Sequence, residues 1–214
     1  MIVPFSTRQL YCQSCRSLGL VLVTALLGAC ATAPSDHFYT LIGNSAQAVA
    51  PDANHVGLGP GPSVAINSVT LPEAVDRSEI VLRSGPNRVM VMDGQRWAES
   101  LKSAIPRSIA GDLSPLLGGA LVSVQADNAS RDAAYTVWVD ITRFDSTLGD
   151  AASIDANWAV RASGGGPAKT GKGSWRVPTH GGGFEELVAA HAVALAQLST
   201  EIAMQIKELE KTGN

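Results

Sequence analysis

Residues 135–145, with the sequence YTVWVDITRFD, alternate apolar and polar side chains. This period of two is the pattern of a β-strand that buries one face. Residues 154–162, IDANWAVRA, repeat the alternation, and the short stretch 146–153 joins the two segments. We therefore expect an antiparallel hairpin with one face on the core and the other in water.

Further strands are expected on both sides of this hairpin, because short β-prone or alternating runs recur along the chain. Residues 44–62, which end in GLGPGP, separate two of these runs and are predicted to form a surface loop. The other predicted strands lie at residues 37–41, 64–69, 80–82, 88–92, 121–124 and 175–177.

Two helices are expected. Residues 184–209 carry apolar side chains at spacings of three and four, which predicts a helix that buries one face. For the other helix we expect Asp93 as the N-cap, with Trp97 at the start of an apolar stripe that continues every four residues. Pro106 predicts a kink or a break in that helix, and Gly118 with Gly119 marks its end.

The order strands, helix, strands, helix predicts a single α+β domain at residues 37–214, a largely antiparallel sheet packed with two main helices. The chain is 45% apolar and only 16% charged, with a formal net charge of −3. A nucleic-acid-binding protein typically shows a basic excess or a cluster of Lys and Arg. The sequence has neither, so no nucleic-acid partner is expected.

The N-terminus has the plan of a secretory signal peptide at residues 1–29. Arg8 and Arg16 make it positive, and the apolar run 18–29 follows. Twelve helical residues span only about 18 Å, too little for a hydrocarbon core of about 30 Å. A lasting transmembrane helix is therefore not expected in this region.

The junction Leu27-Gly28-Ala29-Cys30 resembles the bacterial lipobox. This resemblance implies cleavage after Ala29 and attachment of fatty acyl groups, such as palmitate, to Cys30 as the lipid attachment site. Several acyl chains anchor a protein stably where one holds it only marginally. Residues 30–36 would then be a lipidated tether. The alternative is an ordinary signal peptide with an incidental cysteine.

Sorting to the outer membrane is favoured because Ala31 follows the cysteine, where an aspartate often directs retention in the inner membrane. The domain would then face the periplasm. Cys12 and Cys15 form a C-x-x-C pair, but both lie in the segment that cleavage discards. Loss of Arg8 and Arg16 leaves 14 basic side chains against 19 acidic ones, a net charge of −5.

One segment matches the start of a phosphate-binding loop. Residues 166–172 fit G-x-x-x-x-G-K, but Gly173 stands where serine or threonine would bind magnesium. A strand is predicted to follow, whereas phosphate binding needs a helix N-terminus at that point. We therefore interpret the segment as a glycine-rich hairpin turn.

No residue pattern indicates catalysis, a metal or a cofactor. The histidines His37, His55, His180 and His191 lack metal-ligand spacing, and His191 falls on the apolar stripe of the second helix. The carboxylates are scattered singly, and no G-x-S-x-G motif is present. The sequence therefore predicts a protein that is not an enzyme, with no catalytic residues, no metal site and no cofactor.

Residues 71–107, LPEAVDRSEIVLRSGPNRVMVMDGQRWAESLKSAIPR, resemble the family of ABC-type transport auxiliary lipoproteins (PqiC-like). Residues 38–41, FYTL, which follow the lipobox cysteine closely, are also similar to the family. The matching positions within the central segment are Leu71-Pro72, Asp76-Arg77, Ile80-Val81, Arg83 and Arg96-Trp97-Ala98-Glu99 with Leu101.

The resemblance implies a non-enzymatic, outer-membrane-anchored auxiliary component of an MCE/ABC-type system that moves phospholipid between the inner and outer membranes and maintains membrane integrity. The implied partners are a periplasm-spanning MCE-domain subunit and outer-membrane lipid, contacted through acylated Cys30. The chain would dock that subunit as a homo-oligomeric ring or collar. Trp97 would serve either as an anchor of this contact or as a core residue.

Two alternatives remain open, an outer-membrane assembly or secretion-associated lipoprotein and a lipoprotein hydrolase. A deep apolar cavity would favour direct carriage of lipid. A solid core with an exposed apolar ridge would favour docking, and a convergent Ser/His/Asp arrangement would indicate a hydrolase.

Overall fold

The computed structural model describes residues 35–42, 61–124 and 132–213. Residues Asp36–Asn214 form one compact unit. Cys30, Ala29 and residues 44–60 of the predicted loop lie outside the described residues. The elements in chain order are β1 (His37–Tyr39), β2 (Val64–Thr70), β3 (Glu79–Gly85), β4 (Arg88–Trp97), α1 (Leu101–Leu116), β5 (Val122–Val124), β6 (Tyr135–Thr147), β7 (Ala151–Ala162), β8 (Lys169–Pro178) and α2 (Phe184–Gly213).

All eight strands belong to one sheet. Strand β6 pairs with β7 on one side. On its other side it pairs first with β2, over residues 135–140, and then with β3, at Ser146. The β3–β4, β6–β7 and β7–β8 pairs are antiparallel, whereas the β1–β4, β2–β5, β2–β6 and β3–β6 pairs are parallel. Most paired residues lie in the antiparallel ladders, and the predicted α+β fold with two main helices is confirmed.

The β6–β7 hairpin is the one predicted, and its register shifts between Ile141 and Arg143. Such a bulge lets two consecutive side chains point to the same face. Thr142 and Arg143 are both exposed as a result, and the alternation then resumes with Phe144 and Ser146 on the buried face. The bulge thus places a polar serine under the helices.

The two helices pack against each other and cover one face of the sheet. α1 contacts β2 and β5, and α2 contacts β6, β7 and β8. Burial of the intervening apolar surface at about 25 cal/mol per Å² is the main stabilising contribution. The largest fully buried side chains are Ile66, Ile80, Leu101, Ile105, Ile109, Leu113, Ile141, Ile154, Leu187, Leu195, Leu198 and Ile202.

The length and mean hydropathy of α2 would by themselves allow it to cross a membrane, and within the described ranges it is the one helix of that kind. However, 61% of its most apolar window is buried inside the domain. A core helix of a globular protein has the same properties, and the contacts of α2 with three strands place it in that class.

The predicted start of α1 is wrong. Asp93 lies within β4, which continues to Trp97, and the helix begins at Leu101 after Ser100 in the N-cap position. Residues 95–97 pair with β1, which the local sequence could not reveal. Trp97, the last residue of β4, faces the core and precedes Leu101 by four residues. In the sequence it therefore has the spacing of one more apolar position of the helix.

Of the kink or break predicted at Pro106, the break does not occur, since α1 is continuous through Pro106 and Pro115. A proline in a helix interior costs about 3 kcal/mol. Pro106 is itself buried between the fully buried Ile105 and Ile109, whose packing offsets that cost. The predicted end is confirmed, because Gly118 has a φ of 72° and terminates the helix in the left-handed region.

Candidate functional site

Arg96, from the family-like RWAE segment, fastens the beginning of the described domain. Its Nε lies 3.0 Å from an Asp36 carboxylate oxygen, and its Nη1 lies 3.1 Å from Glu79 Oε1. The backbone N–H of Ala98 donates to the carbonyl of Tyr39 at 2.8 Å. The chain is therefore held against β3 and β4 from Asp36 onward.

Trp97, the next residue, is a core side chain. It is 6% exposed and lies edge-on to Phe144 and His191, with ring centroids 6.3 and 6.5 Å away. An exposed anchor for a partner would need an accessible ring. The interpretation of Trp97 as a docking residue is therefore wrong, and its place in the motif is explained by packing.

Arg83, also in the family-like segment, forms an ion-pair cluster on the side of the sheet opposite the helices. Its Nη2 donates to Asp145 Oδ1 at 2.7 Å, and Arg143 Nε donates to Oδ2 of the same carboxylate at 2.6 Å. Burial would raise the pKa of Asp145, but the bonds from the two guanidinium groups outweigh it and lower that pKa. The cluster joins β3 to β6.

Ser146 and His191 form a contact that resembles a catalytic pair. Ser146 Oγ lies 2.8 Å from His191 Nε2, and the imidazole stacks on Phe144 with centroids 4.0 Å apart. The His191 ring is completely buried, which lowers its pKa to about 3. Nδ1 of this ring has no hydrogen-bond partner within the described part of the chain.

This geometry does not suit nucleophilic catalysis. A catalytic serine must be reachable by its substrate, and its histidine is normally oriented by a third group. Ser146 is 2% exposed and His191 is 0% exposed. The neighbouring Asp145 carboxylate is engaged by Arg83 and Arg143 on the other face of the strand. The pair is explained as a buried polar contact between β6 and α2.

Of the segment that resembles a phosphate-binding loop, residues 166–168 lie in the turn between β7 and β8, as predicted, whereas residues 169–172 already belong to β8. Gly165 and Gly166 have φ values of 94° and 96° in the turn. Gly171 and Gly173 have another role. A Cβ added at Gly171 would lie 2.3 Å from the Trp158 ring, and one added at Gly173 would lie 2.6 Å from the Trp175 ring. The absence of side chains there makes room for the two indoles.

Replacing Gly171 by alanine is expected to displace Trp158, whose Nε1 donates to Gln205 Oε1 of α2 at 2.7 Å. Overpacking costs about 1–3 kcal/mol, and the lost hydrogen bond adds about 1 kcal/mol. Urea unfolding monitored by tryptophan fluorescence would measure the loss. Gly164→Ala is the matched control, because nothing lies within 4 Å of its Cβ. Equal stability of the two variants would contradict this role.

The face of the sheet opposite the helices carries a shallow hollow of about 620 Å³ across β2, β6, β7 and β8. Trp138 and Lys172 help to line it, and the Arg161 guanidinium lies 5.6 Å from the centroid of the Trp138 ring. Asp140 accepts hydrogen bonds there from Thr70 and Asn157. Three of the polar side chains of the hollow thus bond to one another.

An apolar ridge, which we define as Val89, Met90 and Val91, lies on the β3–β4 hairpin. These side chains are 48%, 46% and 43% exposed. β1 pairs only with residues 95–97 of β4, so in the described residues the outer edge of β4 has no strand partner along the ridge. An exposed apolar strand edge is a surface to which other proteins bind.

In the described ranges, no group of three or more His, Asp or Glu residues is placed to hold a metal ion. His37 and His180 are exposed, His191 is in the core, and His55 lies outside the described residues. The predicted lipid attachment site Cys30 and cleavage position Ala29 also lie outside them. The fold brings Arg96 together with Asp36 and Glu79, and Trp97 together with Phe144 and His191.

Comparison with solved structures shows the fold. One uncharacterised protein superimposes with a TM-score of 0.63 at 18% identity, covering 80% of this chain and 99% of its own. A Xanthomonas campestris protein of the DUF330 family gives the same score and identity, covering 83% and 99%. The PelC dodecamer from Paraburkholderia phytofirmans reaches 0.39 at 17% identity, covering 66% and 92%, which is too distant to carry an argument.

A search of curated proteins finds no match. The family model described as the ABC-type transport auxiliary lipoprotein component matches residues 39–203. This range begins in β1, ends in α2 and includes the Arg83 and Arg96 contacts described above. The chain therefore belongs to the family of ABC-type transport auxiliary lipoprotein components.

Proposed function

We propose that this protein is a non-enzymatic lipoprotein of the outer membrane, anchored through acylated Cys30 and facing the periplasm. It acts in an MCE/ABC-type system that moves phospholipid between the two membranes, and it docks the periplasm-spanning MCE-domain subunit. The observation that carries the proposal is the family match over residues 39–203. The lipobox-like junction at Leu27 to Cys30 supports the anchor.

The interior of the domain supports docking over direct carriage of lipid. The layer between helices and sheet is filled by one continuous cluster of buried side chains. The hollow of about 620 Å³ on the opposite face of the sheet is shallow and lined partly by polar and charged groups. A lipid-carrying protein would instead need an enclosed apolar cavity large enough for acyl chains.

The ridge is the surface we assign to the MCE-domain subunit. Val89, Met90 and Val91 expose large apolar side chains on an unpaired strand edge, the arrangement used for adding a partner's strand or apolar segment. A docking protein needs no accessible nucleophile, so the burial of Ser146 and His191 agrees with this role.

A photo-reactive amino acid at position 90, introduced into the full chain in intact cells, tests this proposal. Met204 on α2 is the matched control, because it is 48% exposed against 46% for Met90. We expect position 90 to crosslink to an MCE-domain subunit, identified by mass spectrometry, and position 204 not to do so. The crosslink should be depleted in a Cys30→Ser protein, which lacks the anchor.

Each other outcome has a definite meaning. Crosslinks from position 90 to a different envelope machine would overturn the MCE assignment and favour the assembly or secretion alternative. Equal crosslinking from positions 90 and 204 would overturn the ridge as the docking surface. An undiminished crosslink in the Cys30→Ser protein would show that docking does not depend on the lipid anchor.

A further inference from the structure

A second apolar surface lies where the chain enters the domain. Phe38 in β1 is 63% exposed, the highest value among the large hydrophobic side chains in the described ranges, and Ile42 is 46% exposed. Together with Val188 and Ala192 of α2 they line one shallow hollow of about 270 Å³. We call Phe38 and Ile42 with this hollow the entry patch. Glu185 contributes the one ionisable carboxylate that lines it.

Packing within the domain does not explain why Phe38 is apolar. Its neighbour Tyr39 contacts Phe184 at 5.9 Å between ring centroids and donates to Gln95 at 2.5 Å. Leu41 is 5% exposed and belongs to the core. Phe38 and Ile42 flank these two residues but are largely exposed, so their side chains are available to something outside the domain.

The length of chain before the domain indicates what that is. Asp36 is fixed to Arg96 at 3.0 Å, and only six residue steps separate it from Cys30. Six steps of at most about 3.6 Å reach no more than about 22 Å. If Cys30 carries the acyl chains, the side of the domain that bears Asp36 and Phe38 rests close to the bilayer surface.

The chemistry of the entry patch fits a lipid surface. Aromatic and branched aliphatic side chains bind membranes by burying apolar area among the headgroups and upper acyl chains. Phe38, Ile42, Val188 and Ala192 give the patch its apolar part, about half of the exposed lining is polar, and the tether residues 31–35 hold no charged side chain. Glu185 is the charged group of the lining, and a position at the membrane interface lets its carboxylate stay hydrated among the headgroups.

We propose that the entry patch is a second membrane contact, in which Phe38 and Ile42 insert into the bilayer beside the acylated Cys30 and fix the orientation of the domain. This inference rests on the lipid anchor of the proposed function. With the anchor alone the domain would rotate about its tether. The patch adds a second contact, so one side of the domain faces the membrane and the opposite side faces the periplasm.

Site-specific labelling tests this orientation, and the sequence allows the label to be attached at a single position. Cys30 is the only cysteine from residue 30 onward, and acylation blocks its thiol, so an introduced cysteine is the single labelling site. Phe38→Cys and Ile42→Cys, made in the acylated protein, would carry an NBD fluorophore in vesicles of phosphatidylethanolamine and phosphatidylglycerol. Met204→Cys is the control, 48% exposed and 16 residues beyond Val188, about 24 Å along α2.

We expect lipids brominated on the acyl chain to quench the label at positions 38 and 42 several-fold more strongly than at position 204. Vesicle flotation of the same samples reports the anchor separately. Flotation with equal, weak quenching at all three positions would overturn the entry patch and leave the anchor intact. Failure of the acylated protein to float would overturn the anchor and the patch together. If the NBD label at position 38 is shielded from water only when a periplasmic protein is added, the patch binds a protein partner instead of the bilayer.

Discussion

Replacing Trp97 by alanine is expected to lower the free energy of unfolding by about 3–5 kcal/mol, the range for deletion of a large buried aromatic side chain. The indole closes the cluster formed with Phe144 and His191, so its loss leaves a cavity between β4, β6 and α2. Urea unfolding of the unacylated Cys30→Ser protein would measure the change.

Trp138→Ala is the matched control for Trp97→Ala. Trp138 is half-buried on the opposite face of the sheet and contacts Arg161, so we expect a loss of about 1 kcal/mol. If Trp97→Ala instead kept full stability and abolished the crosslink from position 90, Trp97 would belong to the docking surface and its assignment to the core would be wrong.

The second large effect is a loss of stability in acid that originates at His191. Its pKa is about 3 in the folded protein, because the ring is completely buried, against about 6.5 when exposed. Between these values the unfolded chain binds more protons than the native one, so stability is full above about pH 6.5 and falls as the pH decreases. The slope approaches about 1.4 kcal/mol per pH unit.

His191→Gln is expected to remove this slope between about pH 4.5 and 6.5, although the loss of the stack on Phe144 makes the variant less stable at pH 8. His180→Gln should keep the wild-type slope, because His180 is exposed. Asp145, whose pKa is lowered, loses its contribution only at more acidic pH. A wild-type slope in His191→Gln would contradict the assignment, and unfolding free energies across the pH range would decide it.

The parts of the fold that follow from local pattern could be predicted. The β6–β7 hairpin and α2 each combine a long apolar period with clear ends, so their existence does not depend on distant contacts. The boundary between β4 and α1 could not be predicted in the same way. An N-cap and a strand share extended backbone, and it is the pairing of residues 95–97 with β1 that decides between them.

The candidate surfaces were only partly predictable. The sequence could show that docking needs an exposed apolar face. It could not show which face is exposed, because that depends on tertiary contacts. The alternation in residues 88–92 is the same for a covered strand and for an edge strand, whereas the structure shows that β1 stops short of the ridge and that the ridge side chains are exposed. The contact of Ser146 with His191 was hidden by the bulge after Ile141, which shifts the buried face by one residue.

The position of β2 in the sheet has a consequence for how the chain folds. Both strand partners of β2 come later in the sequence, since Val64 pairs with Val122 of β5 and with Tyr135 of β6. Pairings over such sequence separations close slowly, because the loop entropy is lost before the contacts form. A chain that emerges N-terminus first therefore holds β2 without a strand partner until β5 and β6 are available.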